Sequence, residues 1–86
     1  AMPVTSADGD LTAWINSFYM GQEAGWLSKI MVYDIWAGEV YELASSEQSP
    51  SELWHSLAWS PDGTQLAFTA ELNGERTIWM IERNID

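Results

Sequence analysis

The segment from residue 58 to residue 68 constrains the fold of this chain most strongly, because it joins two short apolar strands through a turn of specific stereochemistry. Pro61 presets φ at the first turn position, Asp62 can bond its own backbone, and Gly63 accepts a positive φ without a Cβ clash. An Asp-Gly pair between apolar runs is a strong signal for a β-hairpin. The sequence therefore predicts two antiparallel strands on either side of this turn.

The same unit occurs a second time near the start of the chain. Residues 6–14 align without a gap on residues 60–68, and residues 30–34 align on residues 78–82. Asp8 and Gly9 thereby match Asp62 and Gly63 as turn residues. The offset is 54 in the first alignment and 48 in the second, and we assign the difference to the loop between residues 20 and 28, where an insertion costs little.

The motif Ala-Trp-Ser-Pro-Asp-Gly-Thr-Gln-Leu-Ala-Phe at 58–68, followed by Ile-Trp-Met-Ile-Glu at 78–82, resembles the TolB-type β-propeller repeat, a relative of the WD repeat. The resemblance implies an all-β fold of antiparallel four-stranded blades, of which this chain holds nearly two. The two blade-like repeats cover about 2–43 and 55–86 of a single domain, and a polar connector at 44–54 joins them.

The alignment predicts seven strands, but local periodicity leaves an alternative open. The apolar residues between 11 and 19 also fit a 3.6-residue period, with Asp10 as an N-cap and Gly21 as a stop. That pattern predicts a small α+β domain with a helix at about 10–20. Residues 51–58 could likewise form two helical turns behind Pro50, and the sequence leaves this point undecided. The seven strands are Met2–Thr5, Thr12–Tyr19, Lys29–Asp34, Val40–Leu43, Leu57–Trp59, Gln65–Ala70 and Thr77–Ile81.

Length and charge limit the classes of partner. The chain has 86 residues and no cysteine, so dense aromatic packing or association must stabilise it, and six tryptophans suit that role. A formal charge of -10 repels phosphate backbones and anionic lipid, so we expect neither nucleic acid nor a membrane as partner. No signal peptide is visible, and the compartment is left open; the family resemblance alone suggests a periplasmic or secreted protein.

No residue combination predicts catalysis, a cofactor or a metal site. Asp8-Gly9-Asp10 lacks the bidentate Glu that a calcium loop needs, since residue 19 is Tyr. His55 is the only imidazole, and we interpret it as a structural residue beside Trp54. The carboxylates are scattered, and no Gly-x-Ser-x-Gly is present. We therefore expect a protein that is not an enzyme.

Three tryptophans are candidates for partner contact, namely Trp26, Trp36 and Trp54, although packing over a sheet edge is the simpler interpretation. The resemblance implies a non-catalytic interaction module, completed by self-association as a homo-oligomer or by further blades. Two alternatives remain. One is a fragment of the accessory propeller of a prolyl-oligopeptidase-like serine peptidase, and the other is a small-ligand module that binds a sugar. The sequence identifies neither the partner nor the number of copies.

Overall fold

The computed structural model describes residues 2–48 and 52–83, and it is built from antiparallel strands. The chain forms β1 (Val4–Thr5), β2 (Leu11–Tyr19), β3 (Trp26–Asp34), β4 (Glu39–Ser45), a 3₁₀ helix (Ser46–Gln48), β5 (Leu53–Trp59), β6 (Gln65–Leu72) and β7 (Glu75–Glu82). Sheet A has the order β1-β2-β3-β4, and sheet B has the order β5-β6-β7. The prediction of an all-β antiparallel fold is confirmed. Within the described ranges, no helix is long and apolar enough to cross a membrane.

The α+β alternative is wrong, because residues 11–19 form strand β2. Their helical period arises from a strand that is apolar on both faces. Leu11 and Ile15 point to the buried side of sheet A, whereas Trp14 and Phe18 point to its other side. Merging the two sets gives the spacings of three and four that imitate a helix.

A β-bulge explains why the segment at 51–58 also looked helical. Residues 53–59 form β5, and the pairing with β6 shifts between His55 and Leu57, so Ser56 is the extra residue. Ser56 adopts a φ of 49°, which is rare for a residue with a Cβ. The bulge places Trp54 and Leu57 on one face at a spacing of three instead of two.

The strands of both central hairpins are longer than predicted. β6 and β7 meet at a two-residue turn of Asn73 and Gly74, with φ values of 54° and 80°. An Asn-Gly turn of this kind matches the twist of the strands it joins. In sheet A the loop is shorter than the predicted 20–28, because β3 already begins at Trp26, which pairs with Tyr19.

The two hairpins nevertheless have the same strand alignment. Leu11 lies opposite Asp34 in sheet A, and Gln65 lies opposite Glu82 in sheet B, which are matching positions at offsets of 54 and 48. Of the predicted connector at 44–54, residues 49–51 lie outside the described residues. The remainder belongs largely to the end of β4, the 3₁₀ helix and the start of β5.

The core lies between the two sheets. Sheet A contributes an inner face and sheet B contributes another, and together they bury the apolar side chains of Leu11, Ala13, Ile15, Ile30, Val32, Trp54, Leu66, Phe68 and Ala70. Trp54 and Phe68 meet with ring centroids 4.7 Å apart at a tilted angle, which is a favourable aromatic geometry. Ser28 ties the sheets together, since its hydroxyl donates to Glu52 O at 3.3 Å and accepts from the Trp54 N–H at 3.4 Å.

Candidate interaction surface

The two repeated turns form the same hydrogen-bond pattern. In the second copy, Ser60 Oγ donates to Asp62 Oδ1 at 2.7 Å and accepts the Gln65 N–H at 3.0 Å. Gly63 N donates to Ser60 O at 2.9 Å with φ at 72°. The carboxylate thus closes a loop that positive φ at the glycine allows.

The first copy repeats these contacts one by one. Ser6 Oγ donates to Asp8 Oδ1 at 2.7 Å and accepts the Leu11 N–H at 3.1 Å. Gly9 N donates to Ser6 O at 2.9 Å with φ at 82°. Ala7 stands where the second copy has Pro61, so the proline is dispensable for this conformation.

Both turn carboxylates are held in the ionised form. The Ser60 hydroxyl, followed by the side chain and backbone N–H of Thr64, lowers the pKa of Asp62 from 3.8 to about 2. The Ser6 hydroxyl and the Asp10 N–H lower the pKa of Asp8 in the same way. Because these carboxylates accept bonds from their own turns, we interpret them as structural residues.

The sheets pack through opposite faces of the repeated unit. The inner face of sheet A includes Ala13 and Ile30, whose counterparts in sheet B are Ala67 and Ile78 on the side away from the core. The inner face of sheet B includes Phe68, whose counterpart Trp14 lies on the outer side of sheet A. A contact of this kind is head-to-tail, since each sheet uses a different side.

Head-to-tail packing leaves one unused side at each end of the described structure. We call these the outer face of sheet B, whose central residues are Ala58, Ala67, Thr69, Ile78 and Met80, and the outer face of sheet A, whose large apolar residues are Trp14, Phe18, Leu27, Met31 and Tyr33. Polar residues lie on the same sides: His55, Gln65 and Arg76 in sheet B, and Thr12, Asn16 and the Lys29–Glu42 ion pair in sheet A. Ile30 and Val32 are 0% exposed in the core, whereas their counterparts Ile78 and Met80 are 74% and 57% exposed. Ile78 and Met80 are as apolar as their buried counterparts, although no described residue covers them in sheet B.

The three candidate tryptophans are not brought together. Trp36 is 83% exposed in the turn after β3, and Trp26 is 40% exposed at the other end of that strand. A strand of nine residues puts roughly 26 Å between its ends. Trp54 is buried in the core, and its indole N–H donates to Glu52 Oε1 at 2.6 Å. Trp54 therefore packs the core here, while contact through Trp26 and Trp36 stays a prediction.

Two clefts are candidate sites for a small ligand. One, of about 570 Å³, lies between β1 and β5 and is lined mainly by apolar groups. His55 borders it, but the Nε2 atom of that ring is closed off from solvent and has no hydrogen-bond partner in the described part of the chain. A smaller cleft of about 220 Å³ lies under Trp26. Neither cleft converges polar groups on one point as a specific sugar site requires.

In residues 2–48 and 52–83, no three His, Asp or Glu side chains are grouped so that they could hold a metal ion. The sequence predicts the two turns, and the partner contacts that it predicts at Trp26 and Trp36 stay predictions. It missed the two outer faces, although the apolar residues on both sides of residues 11–19 were the available signal. No family model matches this chain, and neither a curated protein nor a solved structure matches it.

Proposed function

We propose that this chain is a non-catalytic interaction module that binds further copies of itself, with the outer face of sheet B of one copy stacked on the outer face of sheet A of the next. The observation that carries the proposal is the exposure of Ile78 and Met80 at positions whose counterparts, Ile30 and Val32, are fully buried between the sheets. The chain already contains one example of the contact that it would repeat.

The composition of the two outer faces supports this pairing. The centre of the outer face of sheet B is built from small and aliphatic side chains, with a shallow depression of about 190 Å³ beside Ala67 and Ile78. The outer face of sheet A carries the larger rings of Trp14, Phe18 and Tyr33. Large side chains against small ones allow close packing, and the core between the sheets likewise combines the rings of Phe68 and Trp54 with the small side chains of Ala13 and Ala70.

Repeated stacking of the outer face of sheet B on the outer face of sheet A would give the propeller-like arrangement that the sequence resemblance implies. In such an arrangement every blade contacts its two neighbours, and open apolar faces are covered when the set is complete. A longer polypeptide carrying further blades would cover the same faces. The peptidase-accessory and sugar-binding alternatives have no specific observation in their favour among the described residues.

Sedimentation equilibrium over a range of micromolar concentrations tests the proposal. We expect the mass of the wild-type chain to rise above 9.7 kDa with concentration. Ile78→Lys should remain monomeric, because it places a charge in the proposed contact. Ile35→Lys is the matched control: Ile35 is an exposed isoleucine in the turn after β3, on neither outer face. Its association should equal that of the wild type.

A mixing experiment tests the head-to-tail geometry. Ile78→Lys damages only the outer face of sheet B, and Met31→Lys damages only the outer face of sheet A. Each variant alone should stay monomeric, whereas an equimolar mixture should form a heterodimer through the two intact faces. A wild-type chain that stays monomeric throughout, or a mixture that shows no heterodimer although the wild type associates, would contradict the proposal.

A further inference from the structure

β7 has an open edge along its whole length. It is the last strand in the order of sheet B, so β6 covers one of its edges and no described residue pairs with the other. Seven of its eight residues are exposed, including Ile78, Trp79 and Met80. An uncovered edge of this kind offers backbone donors and acceptors to another strand.

The hydrogen bonds identify the backbone groups that point outward. Arg83 N donates to Thr64 O at 2.7 Å, so the polar groups of Arg83 face β6. Backbone groups alternate between the two edges of an antiparallel strand. The N–H and C=O groups on the open edge are therefore those of Arg76, Ile78, Met80 and Glu82.

The other three sheet edges carry features that oppose strand addition. β1 has two residues, which is too short to accept a strand. β4 is bulged where its pairing shifts beside Ile30 and Met31, and it carries Glu39 and Glu42. β5 is bulged at Ser56. β7, in contrast, pairs with β6 over eight consecutive positions without a shift, and it contains neither proline nor glycine.

Sheet A shows which kind of strand lies along the edge that is open in sheet B. β4 runs antiparallel beside β3, the counterpart of β7, and its Tyr41, Leu43 and Ala44 pack against the core. In sheet B no described strand lies beside β7, and Trp79 of β7 is 51% exposed. An added strand with apolar side chains would cover this indole on one face of the sheet and Ile78 on the other.

The charges indicate which kind of strand fits. Glu75 and Glu82 lie at the two ends of β7. Of the two nearby cations, Arg76 is engaged by Glu71 at 2.9 Å, and Arg83 Nε donates to Gly63 O at 3.1 Å on the side of the turn at 60–65. The chain as a whole has a formal charge of -10. We propose that β7 binds an extended segment of a partner protein as an added antiparallel strand, apolar at its centre and with Lys or Arg at both ends.

This site is distinct from the face-to-face contact of the proposed function, because it uses the edge of sheet B. The test uses ¹⁵N-labelled Met31→Lys chain, in which the substitution lies on sheet A and β7 is unchanged. The probe is the capped peptide Lys-Thr-Val-Tyr-Val-Thr-Val-Lys, which matches the eight residues of β7. We expect amide shift changes and slower hydrogen exchange at residues 76, 78, 80 and 82.

Two control peptides separate strand addition from other binding. N-methylation of the alternate amides that face β7 should weaken binding at least about tenfold, since it removes the inter-strand donors. Replacing both Lys by Glu should weaken it several-fold, and Glu75→Gln with Glu82→Gln in the protein should reduce that difference. Equal binding by the N-methylated peptide, or no shift changes on β7 at millimolar peptide, would overturn the inference. A monomeric wild-type chain would leave this result unaffected.

Discussion

The head-to-tail contact can be tested by substituting two matching isoleucines and measuring the free energy of unfolding of each variant. Ile30 and Ile78 occupy equivalent positions in the two sheets, but Ile30 is fully buried and Ile78 is largely exposed. Ile30→Ala removes buried methyl groups and leaves a cavity, which costs about 2–5 kcal/mol. Ile78→Ala in the monomer should change the free energy of unfolding by less than about 0.5 kcal/mol, as is usual at the surface.

The assay is urea unfolding followed by tryptophan fluorescence at two protein concentrations. At low concentration Ile30→Ala should lower the midpoint by roughly 1–5 M, taking a slope near 1–2 kcal/mol per molar for a small domain, while Ile78→Ala matches the wild type. At high concentration the wild type should gain stability through association, and Ile78→Ala should gain less. Ile30→Val, at about 0.5–1.5 kcal/mol, replaces the alanine variant if that does not fold.

Two results would contradict the proposed contact through the outer face of sheet B. If Ile78→Ala is as destabilising as Ile30→Ala at low concentration, Ile78 is buried within the monomer, and the outer face of sheet B is not free. If the wild type has the same midpoint at both concentrations, the exposed isoleucine contributes nothing to association.

Three further predictions concern the turns and the core. Asp62→Asn should lower the melting temperature at pH 6. The difference in melting temperature from the wild type should close as the pH falls from 3.8 through about 2, because a carboxylate with a lowered pKa stabilises the fold only while it is ionised. An unchanged difference at pH 2 would contradict this. Gly9→Ala and Gly63→Ala should each lower the free energy of unfolding, measured in urea, by about 1–2 kcal/mol, since both glycines have positive φ and both sites have room for a Cβ. Clearly different losses in the two variants would show that the turns differ. Trp54→Ala should cost about 3–5 kcal/mol and Trp36→Ala almost nothing, and comparable losses would place Trp36 in the core.

The strands and the repeated turns could be predicted because their signals are local. Asp-Gly within an apolar alternation has few conformations open to it, and the second copy of the pattern near residue 8 favours a strand over a helix at residues 11–19. The bulge at Ser56 could not be predicted, since nothing in its sequence marks an extra residue. The Asn73-Gly74 turn was a usable signal, and the predicted strands stopped short of it.

The candidate surface was harder to predict than the fold. The exposure of Ile78 and Met80 depends on which side of sheet B packs against sheet A, and this side is set by long-range packing. Trp54 could not be distinguished from Trp26 and Trp36 by composition, because its burial follows from contacts with Phe68 and Glu52. A strand with two apolar faces, such as β2, is the one sequence feature that predicts a further contact.

Cysteine cross-linking tests the stacking of copies most directly, because the natural chain contains no cysteine. Met80→Cys places a thiol on the outer face of sheet B, and Met31→Cys places one on the outer face of sheet A. We expect an oxidised mixture of the two variants to form disulfide-linked heterodimers much faster than either variant forms homodimers. Faster homodimer formation by Met80→Cys alone would contradict it, since the same face would then contact itself.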